Sequence, residues 1–269
     1  MRAVRVHELT GPNGLRVDEV PTPSVGAGQV LIDVKAAGVN FPDILITHGK
    51  YQFKPTPPFS PGGEAAGVVS AVGDGVTTLK VGDRVAATML YGAYAEQVVV
   101  PELACVKLPD AVSFEVGAAT LLTYLTTMHA LVDRAALGKG ESLLVLGAAG
   151  GVGTSAVELG ALLGARVIAA ASSADKLAFC REHGATEAID YSKEDLKERI
   201  KALTKGNGVD VVYDPVGGAL TELSVRGMAW RTISYSRRTL STRLTIAGSA
   251  SAKLSPTIAD PPPRTIYEG

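Results

Sequence analysis

The sequence predicts an α/β protein in two parts. An all-β, barrel-like unit comes first, and a doubly wound parallel sheet with helices on both faces follows. Three observations carry this. Apolar and polar residues alternate at period two through the first part. From about residue 123 short apolar runs alternate with helical patterns. A glycine-rich segment separates the first of those runs from the first of those helices. Strand, helix, strand, helix at this spacing implies parallel strands with crossover helices.

In the first part Val4, Val6, Leu15, Val17 and Val20 alternate with polar residues, and Val30, Ile32 and Val34 do so again. Pro21, Pro23, Gly26 and Gly28 punctuate between them. Residues 65–72, 84–87 and 95–100 continue the series, separated by turns at Gly73-Asp74-Gly75 and Val81-Gly82-Asp83. In the second part strands are expected at 143–146, 166–171, 188–190 and 209–213. Helices are expected at 151–163, 173–183, 193–204 and 218–229. The last 38 residues differ: six Ser, six Thr, four Pro, and five Lys/Arg against two acids. That composition buries little, so 232–269 is expected to be largely disordered, with 232–235 as a candidate ragged fifth strand.

The 269 residues leave room for one large domain or two modest ones. Apolar residues make up 46% and charged residues 20%. Lys+Arg is 26 and Asp+Glu 27, a net charge of −1. This balance argues against a nucleic-acid surface or a polybasic membrane anchor as the main role. Two cysteines, Cys105 and Cys180, make neither a disulfide framework nor a four-cysteine zinc lobe, and are expected as buried thiols. The uncharged stretch 116–132 is broken by Thr123, Thr126, Thr127 and His129, so no membrane span is expected. Residues 1–11 show no apolar signal region, and a cytoplasmic protein with a small-molecule partner is the expectation.

The chemistry begins at Gly147-Ala148-Ala149-Gly150-Gly151-Val152-Gly153, which follows the run Leu143-Leu144-Val145-Leu146 and opens a helix. A glycine fingerprint alone is weak; between a strand and a helix it is confirmed by context. Glycines let backbone approach a pyrophosphate, and the helix start offers unpaired N–H groups at Ala149, Gly150, Gly151 and Val152. Folds that bind NAD place an acid about 20 residues further on, against the ribose 2′-hydroxyl. Here that place is Ala170-Ala171-Ser172-Ser173, with Lys176 beyond. Hydroxyls and an ammonium attract a 2′-phosphate, which points to NADPH. The alternative is a capped helix start with a solvated Lys176, and both can hold at once.

That loop, Lys35-Ala36-Ala37-Gly38-Val39-Asn40-Phe41-Pro42-Asp43 and Pro61-Gly62-Gly63-Glu64-Ala65-Ala66-Gly67 together resemble the zinc-independent quinone oxidoreductase-like branch of the medium-chain dehydrogenase/reductase superfamily. The resemblance runs from residue 1 to about 231. It implies a GroES-like substrate domain (1–122), a Rossmann NADP-binding domain (123–231) and a cleft between them. The related zinc alcohol dehydrogenases carry a Cys near Gly38–Asn40 and a His at Gly63, and both are absent. The four histidines are scattered, so no metal site is expected. What the resemblance implies is NADPH-dependent hydride transfer to a quinone or other activated alkene or carbonyl.

By the same resemblance Asn40 faces the nicotinamide end and Tyr51 the acceptor, the two candidate catalytic residues, and Asp43 completes an Asn-x-x-Asp…Tyr pattern. Thr123 contacts the cofactor at the junction, and Ser172, Lys176 and Tyr191 form the 2′-phosphate pocket. Plainer roles stay open: Asn40 as a turn cap, Asp43 as the N-cap of a short helix, Tyr51 as packing. Tyr51 or water is the proton source. The match stops near Trp230-Arg231, which suggests a divergent or frame-shifted end, a sheet incomplete at its C-terminal edge, and residues 209–213 as an exposed edge strand. The family's homodimer uses that edge, so no dimer is carried over. The alternative function is therefore a non-catalytic member that binds NADP(H) weakly or not at all.

Overall fold

A computed structural model of the chain describes residues 1–229 and 244–246. Its first half is antiparallel. β1 (Arg2–Val6) and β2 (Leu15–Glu19) form a hairpin. β3 (Gln29–Ala37), β4 (Glu64–Val72), β5 (Arg84–Thr88), β6 (Gln97–Pro101) and β7 (Cys105–Lys107) form a five-stranded sheet in the order β6-β3-β4-β5-β7. Single bridges at Ala3–Ala95 and Val6–Phe59 tie the hairpin to it. Register shifts between β3 and β4 mark bulges, which bend the sheet around its core. Val30, Ile32, Val69, Val85, Val98 and Val100 fill that core.

This half is not all-β. α1 (Phe41–Thr47) and α2 (Phe114–Ala118) interrupt it, and α3 (Leu121–Met128) follows, running on into a π-helical turn, His129–Arg134. Strand alternation cannot reveal such short helices. Their signals are the caps: Asn40 before Pro42 in α1, and Ser113, whose Oγ accepts from Val116 N–H at 3.3 Å, in α2.

The second half alternates as expected. β8 (Ser142–Leu146), α4 (Gly151–Leu162), β9 (Arg166–Ala171), α5 (Ala174–Glu182), β10 (Glu187–Asp190), α6 (Leu196–Leu203), β11 (Val211–Asp214), α7 (Ala219–Arg226) and β12 (Leu244–Ile246) follow in turn. The strands are parallel in the order β10-β9-β8-β11-β12. Period two sorts β8 to both faces. Leu143 and Val145 pack with Val157, Val167 and Tyr213, while Leu144 and Leu146 pack with Ile168, Ile189, Ile200 and Val212.

Two expectations change at the edge. β11 is not an edge strand, because β12 pairs with it through Val212–Leu244, Tyr213–Thr245 and Asp214–Ile246. A strand thus lies at 244–246, and the sheet is not left open beside β11. The candidate strand at 232–235 lies outside the described residues, as does most of 232–269. Among the described residues no helix is long and apolar enough to cross a membrane.

Both thiols are held protonated. Burial, with the Glu102 charge behind it, pushes Cys105 up to about 11. Cys180 is 1% exposed, and burial pushes its thiol up as well.

Candidate functional site

The order of the parallel strands reverses about β8, whose neighbours β9 and β11 lie on opposite sides. Ligands of such sheets settle outside the strand C-termini at this switch point. The glycine segment sits there. Gly150 caps α4, and the first bond of the helix runs from Thr154 N–H to Gly150 O at 2.7 Å. The amides of Gly151, Val152 and Gly153 therefore lack intrahelical acceptors. Gly150 and Gly151 are exposed, and Ala149 and Val152 half-buried, so this backbone is open to a ligand. A Cβ on Gly153 would stand 2.3 Å from Gly147 O, which explains the glycine: helix and loop touch through backbone. The arrangement suits a dinucleotide pyrophosphate, with bare amides and the positive end of a helix.

At the tip of β9, Ser173 caps α5 by accepting from Lys176 N–H at 3.4 Å. Lys176 Nζ in turn donates to Ser172 Oγ at 3.2 Å. The cap falls to Ser173, and the Lys176 ammonium lies over Ser172. Tyr191 is half-buried and its N–H donates to Ala171 O at 3.2 Å, which sets it beside that tip. Asp190, the nearby acid, is turned aside. Its Oδ1 accepts from Ser192 Oγ at 2.5 Å, and that bond foremost holds its carboxyl below the usual range.

Thr123 is buried, and its hydroxyl donates back to Ala119 O and Thr120 O, both at 3.1 Å. Its methyl faces the loop, 3.4 Å from where a Gly151 Cβ would stand. Behind it Thr127 Oγ1 bonds Ser155 Oγ at 2.7 Å and Tyr213 Oη at 3.1 Å, a hydroxyl cluster pinning α3 to α4 and β11.

The antiparallel half supplies a cavity of about 340 Å³. Asp43, Tyr51, Gly63, Thr88, Met89 and Leu122 are among its walls. Tyr51 also packs against Val6, Ile46 and Phe59. A Cβ on Gly63 would meet only Met89 O at 3.6 Å, an ordinary contact, so the cavity owes space to the missing side chain. Leu122 lines this cavity and the methyl of the next residue faces the glycine loop, so residues 122–123 link the two candidate sites.

Polar groups around this cavity are wired together. Asn40 is the N-cap of α1, and Asp43 sits at its third position rather than capping it. Asp43 Oδ2 accepts from Asn40 N–H at 2.8 Å and from Tyr94 Oη at 2.9 Å. A capping box needs the acid there, to reach back to the cap. Burial nonetheless pushes the Asp43 carboxyl above the usual range. Burial, then the Asp43 charge, holds the Tyr94 phenol well above its ordinary value. Asn40 is turned inward: its Nδ2 donates to Glu64 Oε1 at 2.9 Å.

Glu64, Tyr94 and Asp214 escaped the sequence reading as site residues. Glu64 and Tyr94 lie 24 and 51 residues from their partners, with no local spacing to flag them. Asp214 had a signal, the turn Asp214-Pro215-Val216-Gly217-Gly218. Its Oδ1 accepts from Val216 and Gly217 N–H at 2.8 and 2.9 Å, and its Oδ2 from the Thr221 hydroxyl, fixing the loop after β11. Among the described residues no three His, Cys, Asp or Glu converge as metal ligands. Three of the four histidines pair separately, His7 with Asp18, His129 with Asp133 and His183 with Glu158.

Comparison with known proteins gives two family matches. The alcohol dehydrogenase GroES-like domain matches residues 26–110, and the zinc-binding dehydrogenase family matches residues 151–231. A quinone oxidoreductase-like protein 2 homolog from Nematostella vectensis is 41% identical over 85% of this chain and 63% of its own length. The chain thus spans less than two thirds of that relative. A quinone oxidoreductase from Pseudomonas aeruginosa is 42% identical over 82% of this chain and 68% of its own. Among solved structures, the Escherichia coli quinone oxidoreductase complexed with NADPH superposes with a TM-score of 0.80 at 36% identity, over 86% of this chain and 71% of that one.

Proposed function

Since the chain belongs to the quinone oxidoreductase-like medium-chain dehydrogenases/reductases, we propose that it passes hydride from NADPH to a quinone or another activated alkene or carbonyl, without zinc. One observation carries this reading. Open amides at Gly151 and Val152 follow β8, Ser172 and Lys176 follow its neighbour β9, and a cavity whose walls offer no metal-ligand set reaches Leu122, one residue before Thr123. In this reading residues 123–231 hold the dinucleotide and residues 1–122 the acceptor.

Each residue then has a task. The loop from Ala149 to Val152 binds the pyrophosphate through the amides of Gly151 and Val152, the Gly150 N–H being held by Gly147 O at 2.9 Å, while Ser172, Lys176 and Tyr191 take the 2′-phosphate. Thr123 supports the loop at the junction through its methyl. Bound NADPH supplies the hydride. Asn40 would orient the nicotinamide end, and Gly63 leaves room for the acceptor in the cavity. Tyr51, on the cavity wall, gives a proton to the reduced acceptor, with water as the other source. The protein's contribution is to align two reactive partners and exclude other geometries.

Loss of reduced-nicotinamide absorbance with a simple quinone, with and without chelator, tests the chemistry. Turnover indifferent to chelator is expected, and chelator-sensitive turnover contradicts the zinc-free reading. Thermal stabilisation by NADPH should exceed that by NADH. A larger shift with NADH overturns the roles of Ser172 and Lys176, and no shift with either overturns the function.

A further inference from the structure

Glu64 opens β4 and is 1% exposed, one of the most deeply buried charged residues of the described chain. Both its oxygens accept. Oε1 takes Asn40 Nδ2–H at 2.9 Å, and Oε2 takes the backbone N–H of Leu122 at 2.8 Å. The backbone is shaped around it: a Cβ on Gly38 would stand 2.4 Å from Glu64 Oε1 and 2.4 Å from Ala118 O. Thr88 faces Glu64 across the β4–β5 ladder and lines the cavity, as does Leu122.

We infer that Glu64 is the positioning residue of this site: together with the Asp43 N–H of the capping box, it sets which way the Asn40 amide is turned. An acceptor on the inside demands the NH₂ of Asn40, so Oδ1 is turned away from Glu64 and toward the Asp43 backbone N–H of the capping box. The same carboxyl grips the first turn of α3 one residue before Thr123, whose methyl faces the glycine loop. One buried side chain therefore fixes Asn40 and the junction to the dinucleotide loop together. The inference rests on the reading above that Asn40 serves the nicotinamide end.

The physics singles out a swap. In E64Q the glutamine oxygen stays with the fixed Leu122 N–H, and its NH₂ then confronts the NH₂ of Asn40. The Asn40 amide must turn over, presenting a donor where it had presented an acceptor. N40D sets two carboxyl groups against each other. The double variant E64Q/N40D restores one donor facing one acceptor and leaves an oxygen for the Asp43 N–H of the capping box, with the total charge unchanged.

The first readout needs no dinucleotide. The side-chain amide of Asn40 in a nitrogen–proton correlation spectrum, assigned by its loss in N40D, should exchange slowly with solvent in the parent and shift and exchange faster in E64Q. The second is kinetic. E64Q should lose about tenfold to a hundredfold in kcat with the KM for NADPH little changed, and E64Q/N40D should recover most of what N40D loses. Urea denaturation separates this from general loosening, since a purely structural role would lower stability without rescue by the swap. Should E64Q fail to fold, E64D draws the oxygens back from Asn40 and should release the same amide signal. An Asn40 signal identical in parent and E64Q, or a double variant no better than N40D, overturns the inference. If the amide depends on Glu64 but the parent neither binds nor oxidises NADPH, the positioning stands and the proposed function fails.

Discussion

The antiparallel half offers its side of the site as side chains wired to one another, whereas the parallel half offers bare backbone. Around the cavity Asn40, Asp43, Glu64 and Tyr94 bond in a chain, and each fixes the next. At the glycine loop the working groups are amides, placed by a helix start and by the lack of side chains at Gly150 and Gly151. The difference teaches where each half is vulnerable. The first fails when a polar partner is exchanged, and the second when an atom is added.

The sharpest way to break this contrast is Gly153→Ala. Its new Cβ would lie 2.3 Å from Gly147 O, and neither backbone can yield. A loss of about 3 kcal/mol is expected from such overpacking, read by urea denaturation, together with loss of NADPH stabilisation. Unchanged stability would show that the loop is not backbone-packed. Next is Lys176→Glu, which should cut the preference for NADPH over NADH about tenfold, in line with one charge-assisted contact. Titration with both dinucleotides decides it.

Thr127→Val should cost about 1 kcal/mol, because it removes the hydroxyl that bonds Tyr213 Oη and Ser155 Oγ in a buried cluster. Denaturant midpoints measure it. The smallest effects come from two carboxyls of opposite sign, one in each half. Asp190 titrates below its ordinary 3.8, so its contribution is present above that value and is lost as pH falls through its folded-state value. Asp43 titrates above 3.8, so its contribution is greatest below that value and is lost as pH rises through its folded-state value. Asp190→Asn should flatten the acid limb of a stability–pH curve, and Asp43→Asn should flatten the limb just above it. Curves that move together would erase the distinction.

Some of this was legible beforehand and some was not, for physical reasons. β9 was read at the bounds it has, 166–171, because a strand buried on both faces is a continuous apolar run. The glycine loop was legible because its chemistry is local. Ser173 betrayed the start of α5 by its side chain, since a hydroxyl at that place can accept from a first-turn amide. α2 and α3 were hidden by their threonines and small residues, which weaken the helical stripe. The Glu64 and Tyr94 contacts depend on β-sheet closure over long separations, and no periodicity encodes that. β12 draws its residues from a segment whose composition gave no reason to expect a strand.

The two thiols gain a meaning from the proposed acceptor. Quinones are electrophiles that arylate thiolates, so a protein that turns them over risks poisoning itself. Cys105 is held protonated up to about 11, and Cys180 is sealed beneath α5. The thiolate is the attacking species, so neither sulfur offers the nucleophile that a passing quinone would capture. With Cys180 sealed and Cys105 half-buried, the chain would tolerate the proposed quinone acceptor.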